Sequence, residues 1–218
     1  MLDAEGYETM NPELKRYIEA EILPRYDHFD KAHQRNHAEM VIQQSMQLAE
    51  RLDVDTDMIY AIAAYHDTGL SEGRDLHHVV SARIIREDKE LRRWFTEEQI
   101  SVMADAAEDH RASAKQPPRT IYGRIVAEAD RFIDPVTIVR RTVQFGLDHY
   151  PDLSRREHYE RMLQHLHEKY GRQGYLHLWF EDSPNAERLK RLRQLIDDEA
   201  ELQRLFGEFF PDTTNPTH

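Results

Sequence analysis

The chain has 218 residues and a mass of 25.9 kDa, enough for one generous domain, or a domain with an extension, and for a core that needs no covalent staples. It contains no cysteine, which excludes disulfides, thiolate metal sites, cysteine nucleophiles and iron–sulfur clusters. Lys and Arg number 29 against 41 Asp and Glu, a net charge of -12, so the positive footprint that a long nucleic acid requires is missing and thirteen histidines are left to carry chemistry.

The opening MLDAEGYETM has no basic segment followed by an apolar one and predicts no secretory signal. Asn11-Pro12 reads as a cap followed by proline at the first helical position, with Leu14, Tyr17, Ile18 and Ile22 at helical spacing until Pro24 interrupts. A second helix is predicted from about His33 to Leu52, with Ala38, Val41, Ser45 and Leu48 on one face. Asp55 or Asp57 caps a third, very apolar helix that runs into His66-Asp67, with Gly69 as its terminator. Its core, MIYAIAAY at 58–65, is far shorter than the roughly 20 residues of a membrane span, so a cytoplasmic protein without membrane contact is expected.

The loop SEGRDLHH leads into a fourth helix bearing Val79, Ala82 and Ile85. Thr96 with Gln99 forms a capping-box pattern for a fifth, which ends around His110. After the KQPP loop a sixth helix spans about Thr120 to Phe132. Ser154 with Glu157 makes another capping box, and Ser183-Pro184 opens one long last helix with an apolar stripe of Leu189, Leu192, Leu195, Ile196 and Leu202. No stretch alternates long enough to demand a sheet. The expectation is an all-α fold: an N-terminal helix within 1–27 packing on the core, a helical core over 28–134, a C-terminal helical extension over 135–207 and a flexible tail over 208–218.

Among the histidines, His66-Asp67 is the most informative pair. Neighbours on a helix point about 100° apart, so both side chains reach one ion only where the helix ends. Helix-terminal capping explains the pair equally well. His37 lies on an otherwise apolar face, and Asp130 follows the core-like Ile125, Val126 and Ala129. A buried carboxylate requires either a metal or a cationic partner, and Arg124, Arg131 and Lys115 are within reach in sequence. Spacing alone leaves both readings open.

The order His37, His66-Asp67, Asp130 is similar to the signature of the HD superfamily of metal-dependent phosphohydrolases. HAEMV at 37–41, AIAAYHDTG at 61–69, HHVVSA at 77–82, EDHR at 108–111 and IVAEADRF at 125–132 resemble its motifs in sequence. The resemblance spans about 28–134 and is nearest to the YedJ-like group of small stand-alone HD proteins. It implies an HD-domain helical core and His37, His66, Asp67 and Asp130 as ligands of a divalent cation (Mn, Mg, Fe, Co or Ni). His77 and His110 resemble positions that hold a second ion or the substrate phosphate, with His77 favoured over His78 by its spacing to Ser81-Ala82. His33 resembles a histidine often preceding the first motif. HDTGLSEG lacks the glutamate-aspartate that guanosine tetraphosphate hydrolases of the superfamily carry, which argues against that activity.

The implied reaction is hydrolysis of a small phosphoester or nucleotide by metal-activated water. Asp67 would serve as ligand and base, His77 and His110 as catalytic histidines, and Arg74 and Arg111 as the preferred grips on phosphate, with Lys115 and Arg119 as further cations. A small phosphorylated molecule is the expected partner. The apolar stripe of the last helix makes a homodimer plausible. Two alternatives belong to other classes: a di-iron oxygenase on the same fold, and a non-catalytic nucleotide-binding regulatory module.

Overall fold

The structure, a computed structural model, describes residues 10–29, 33–114 and 116–211; among these every regular element is helical. The fold is all-α. The chain divides into two compact units, one up to Arg131 and one from Phe132, and each has its own hydrophobic core.

In the first unit α1 (Pro12–Tyr17) starts at Asn11, whose side chain accepts from the amides of Glu13 and Leu14. Pro24 does not end this segment. The helix widens over Ile18–Ile22 and re-forms as a tighter turn over Leu23–His28, in whose first turn Pro24 sits and its missing N–H costs nothing. Leu14, Ile18, Ile22 and Tyr26 are fully buried in the same core as the helices that follow.

Those helices are α2 (Arg35–Ala49), α3 (Thr56–Tyr65), α4 (His77–Glu87), α5 (Glu97–Asp109) and α6 (Ile121–Ala129). Asp55 caps α3 through the Met58 amide at 3.1 Å, and α5 carries the Thr96–Gln99 capping box. Every residue of α3 from Met58 to Tyr65 is buried, and the helix packs against α2, α5 and α6. A helix that is apolar on all sides has to run through the middle of its unit. Its C-terminal end, carrying His66 and Asp67, therefore lies inside the protein.

Gly69 differs from its expected role. Its φ is not in the left-handed region; among the described residues only Gly73, at φ 106°, has a positive φ. Gly69 is needed for close approach instead. Its amide donates to Ser81 Oγ at 2.9 Å, and a Cβ there would stand 2.0 Å from the His77 carbonyl oxygen and 2.6 Å from the Ser81 amide nitrogen. Both are backbone atoms, so α4 itself would have to move.

In the second unit α7 (Pro135–His149) is capped by Asp134 and α8 (Arg155–Tyr170) by the Ser154–Glu157 box. The expected single last helix is two: α9 (Pro184–Asp197) and α10 (Glu199–Phe209). Asp198 adopts φ -96° and ψ 89° and accepts from the Glu201 amide at 3.1 Å, the behaviour that makes aspartate a better cap than helix interior. Leu189, Leu192, Ile196 and Leu202 are buried in this unit's own core, so the stripe is not an argument for a second copy. Helix α10 runs through 208 and 209, where a flexible tail was expected, and Phe210 is buried. Residues 1–9 of the N-terminal segment, 212–218 of the tail, and Lys115 lie outside the described residues. Among the described residues no helix is long and apolar enough to cross a membrane.

Gly69→Ala is expected to lower the melting temperature by an amount equivalent to about 1–3 kcal/mol, the usual cost of forcing extra volume into a filled site. Thermal unfolding followed by circular dichroism checks this, and an unchanged midpoint would refute the close-approach role.

Candidate metal centre

Three helix C-termini meet at one interior point. His66 is the C-terminal cap of α3, His110 that of α5 and Asp130 that of α6. Each end carries carbonyls without intrahelical donors and the negative pole of its helix, so the convergence favours a cation. The chain leaves α3 at Asp67, where φ is -109° and ψ 6°, and this lets adjacent side chains turn to one place. The Asp67 amide donates to the Tyr26 hydroxyl at 3.2 Å, and that hydroxyl donates to the Ala64 carbonyl at 2.9 Å. Tyr26, invisible as a site residue in the sequence, thereby fixes the backbone of the central aspartate.

The Asp67 carboxylate, 3% exposed, divides its oxygens between two sets of imidazoles. Oδ2 lies 3.3 Å from His66 Nε2 and 3.5 Å from His37 Nε2. Oδ1 lies 3.4 Å from both His77 Nε2 and His110 Nε2. Asp130 Oδ1 joins the first set, 3.2 Å from His37 Nε2 and 3.8 Å from His66 Nε2. His37, His66 and Asp67 form one group able to hold a metal ion, and Asp67, His77 and His110 form a second.

The hydrogen bonds behind the rings decide which nitrogen faces inward. His66 Nδ1 donates to the Ala63 carbonyl at 2.7 Å, His77 Nδ1 to Arg74 at 2.7 Å and His110 Nδ1 to Ala107 at 2.5 Å. A carbonyl only accepts, so each Nδ1 carries a proton, and in the neutral ring each Nε2 offers a lone pair. The Nε2 atoms of His77 and His110 face each other at 3.2 Å, and His66 Nε2 faces His37 Nε2 at 3.3 Å. Lone pairs meeting head-on repel unless a cation lies between them. Two nitrogens about 2.1 Å from one ion and about 100° apart would be about 3.2 Å from each other. The donor set fits a divalent ion in each group.

Protons compete for the same positions. Burial pushes the His37 imidazole down, but Asp130 and Asp67 outweigh it and raise it from 6.5 to about 9. Burial likewise opposes a charged His110, and Asp67 again prevails and raises it. His77 is lowered by burial. Burial acts to raise Asp67, yet the surrounding histidines hold it well below the ordinary carboxylate range. Asp130 is lowered in the same way, with His37 its strongest counterweight to burial.

The two readings of Asp130 turn out to be compatible. Oδ2 accepts from Arg131 Nη1 at 3.2 Å while Oδ1 faces His37. His78 stays outside both groups, its ring 5.5 Å from that of His77. His33 is also outside; its ring lies 5.7 Å from that of His37, and its Nε2 is 3.5 Å from Arg74 Nη2. Arg74 and Arg111 are both exposed, and Arg111 Nη1 donates to the Asp75 carbonyl at 2.9 Å, which ties it to the loop carrying His77. Arg119 is drawn away from the expected cationic rim by ion pairs to Asp105, Glu108 and Asp109. Ser81, which anchors Gly69, was legible only as part of the Ser-Ala pair after the histidines.

Residues 35–133 match the HD domain family. This stretch is an HD domain. The match opens at the first residue of α2 and closes just beyond Asp130, so it encloses His37, His66, Asp67, His77, His110 and Asp130. It is a match to the domain at large and does not single out the YedJ-like group. No curated protein and no solved structure matches the chain.

Proton–metal competition in the HD domain gives a pH test. A folded-state value raised above 6.5 means that His37 and His110 contribute stability that is whole below 6.5; for His37 it is lost as pH rises through about 9. The lowered His77 acts in the opposite sense, but only below the ordinary histidine range. With chelator present, the melting temperature should therefore fall between pH 7 and pH 9. With saturating Mn the fall should vanish or reverse, because the ion needs the deprotonated imidazoles. Parallel curves with and without metal would contradict the competition.

Proposed function

We propose that the HD domain is a two-metal phosphohydrolase acting on a small phosphoester or nucleotide. The observation that carries this reading is the division of the Asp67 carboxylate: one oxygen faces His37 and His66, the other His77 and His110. A carboxylate set this way could offer one oxygen to each group's ion, and two such ions would together stabilise displacement at phosphorus. Two imidazoles per group suit Mn, Fe, Co, Ni or Zn better than Mg, which prefers oxygen and water.

When bound, such ions would acidify a water molecule and offset charge building on the transferring phosphoryl group. The chain's own residues set the conditions. Asp67 is held ionised by its histidines, and Tyr26 fixes its backbone, so its geometry is formed before substrate arrives. His77 and His110, with Nδ1–H groups anchored on carbonyls, present Nε2 toward the reacting region. Arg111 is near enough for its charge to bear on the His77 imidazole, and with Arg74 it supplies cationic donors for phosphate oxygens on an otherwise acidic chain. A net charge of -12 disfavours a long polyanion and leaves a small ligand gripped locally as the substrate class.

The di-iron oxygenase reading shares the same donors and is separated by what the protein turns over. Metal should be quantified on protein purified without chelator, followed by a panel of phosphomonoesters, nucleotides and phosphodiesters with Mn, Mg, Co, Fe and Ni. Two ions per chain and hydrolysis of a phosphate ester are expected. Asp67→Ala should lose both ions and at least about 100-fold of the activity while still unfolding cooperatively. His77→Ala should retain one ion. Two tightly held irons with no hydrolysis under any metal would overturn the phosphohydrolase reading in favour of the oxygenase.

A further inference from the structure

Arg131 is a buried cation, 8% exposed, immediately after the last residue of the metal centre. Its guanidinium reaches two places at once. Nη1 donates to Asp130 Oδ2 at 3.2 Å, and Nη2 donates to the backbone carbonyl of His110 at 2.9 Å. The first contact orients a carboxylate of the group containing His37 and His66. The second caps the C-terminal end of α5, whose final carbonyls lack intrahelical donors, at the very residue that carries a histidine of the other group.

The two contacts fall on different elements. Asp130 closes α6 and His110 closes α5. A planar fork with donors in fixed directions holds both at a set separation. An ammonium is a single point of charge on a flexible stem and can serve one of them well, not both.

We propose that Arg131 is a positioning residue that couples the two metal-binding groups, setting the relation between Asp130 and His110 so that occupation of one group prepares the other. This rests on the two-metal reading above. Arg131 belongs to neither group of ligands; it acts through the Asp130 carboxylate and the His110 backbone. With the fork intact, the first ion finds Asp130 already aimed at His37, and ordering of that group is transmitted to the end of α5. Without it, the two groups become independent and the one containing His110 loosens most, since its backbone anchor is gone.

The test is metal titration of the full chain by calorimetry, with elemental analysis of the loaded protein, on the wild type, Arg131→Lys and Arg131→Met. Arg86→Met, which removes the ion pair of Arg86 with Asp105, is the control for loss of an arginine. The wild type should take up two ions. Arg131→Lys, which keeps a positive charge beside Asp130, should bind the first ion within a few-fold of wild type. It should lose about 10- to 100-fold in affinity for the second, the range typical of groups that orient metal ligands. Arg131→Met should weaken both, and Arg86→Met neither.

A purely structural role would lower the melting temperature of Arg131→Lys without splitting the two affinities. That result overturns the proposal, as do two wild-type affinities in both Arg131 variants. If Arg131→Met does not fold, Arg131→Lys still decides. A wild-type chain that takes up no divalent ion overturns the two-metal reading and this inference together, whereas two ions bound equally by wild type and Arg131→Lys overturns this inference alone.

Discussion

An ionised carboxylate inside a protein has to be compensated, and Asp67 is the place where this chain meets that demand. Desolvation alone would keep the group protonated. Four imidazole nitrogens within 3.3–3.5 Å reverse that balance, and they come from α2, the end of α3, the start of α4 and the end of α5. The helices of the first unit are therefore bound to one another by more than apolar contact: each delivers a group without which the buried charge is untenable. The same arrangement is a proton store in the absence of metal and a ligand set in its presence. Stability and metal binding are consequently two aspects of one electrostatic problem.

The packing explains how such a site can exist at all. Helix α3 is apolar on every side and so ends in the interior, carrying a polar pair where polar groups are otherwise excluded. The ends of α5 and α6 arrive at the same point, adding the negative poles of two further helices. Close approach of α4 is permitted by a residue without a side chain at Gly69, and the Tyr26 hydroxyl fixes the backbone at the turn. Around this interior the acidic surface is laced by ion pairs such as Arg119 with Asp105, Glu108 and Asp109. Exposed pairs of this kind contribute little to stability individually, so what they settle is which arginines remain near the site. Among those considered, Arg74 and Arg111 do.

The second unit follows ordinary helical rules and carries no comparable group of ligands among its described residues. Its caps, Asp134, Ser154, Ser183 and Asp198, all act as their side-chain chemistry dictates. Its apolar stripes close on themselves into a separate core.

Much of this was legible in the amino-acid order. Caps and 3.6-residue periodicity depend only on neighbours in the chain, and they located most helices, including both capping boxes. Spacing alone left metal and ion pair both open, and it was the resemblance of the phrases around His37, His66-Asp67 and Asp130 to the HD superfamily's motifs that pointed to an HD domain. What the order could not express were relations between elements far apart in sequence. Pro24 read locally as a helix stop, yet it sits in the first turn of the tighter helix that follows. Gly69 resembled a helix stop, but the approach of α4 gave it another reason to be glycine. Asp130 posed a choice between metal and arginine that periodicity could not resolve, since its two oxygens serve both. The sequence by itself determined an all-helical chain with a histidine–aspartate signature, because those properties are local. Only the tertiary structure decided that Asp67 faces two groups of histidines and that Arg131 reaches across both, because such contacts arise from the crossing of helices and not from the order of residues along them.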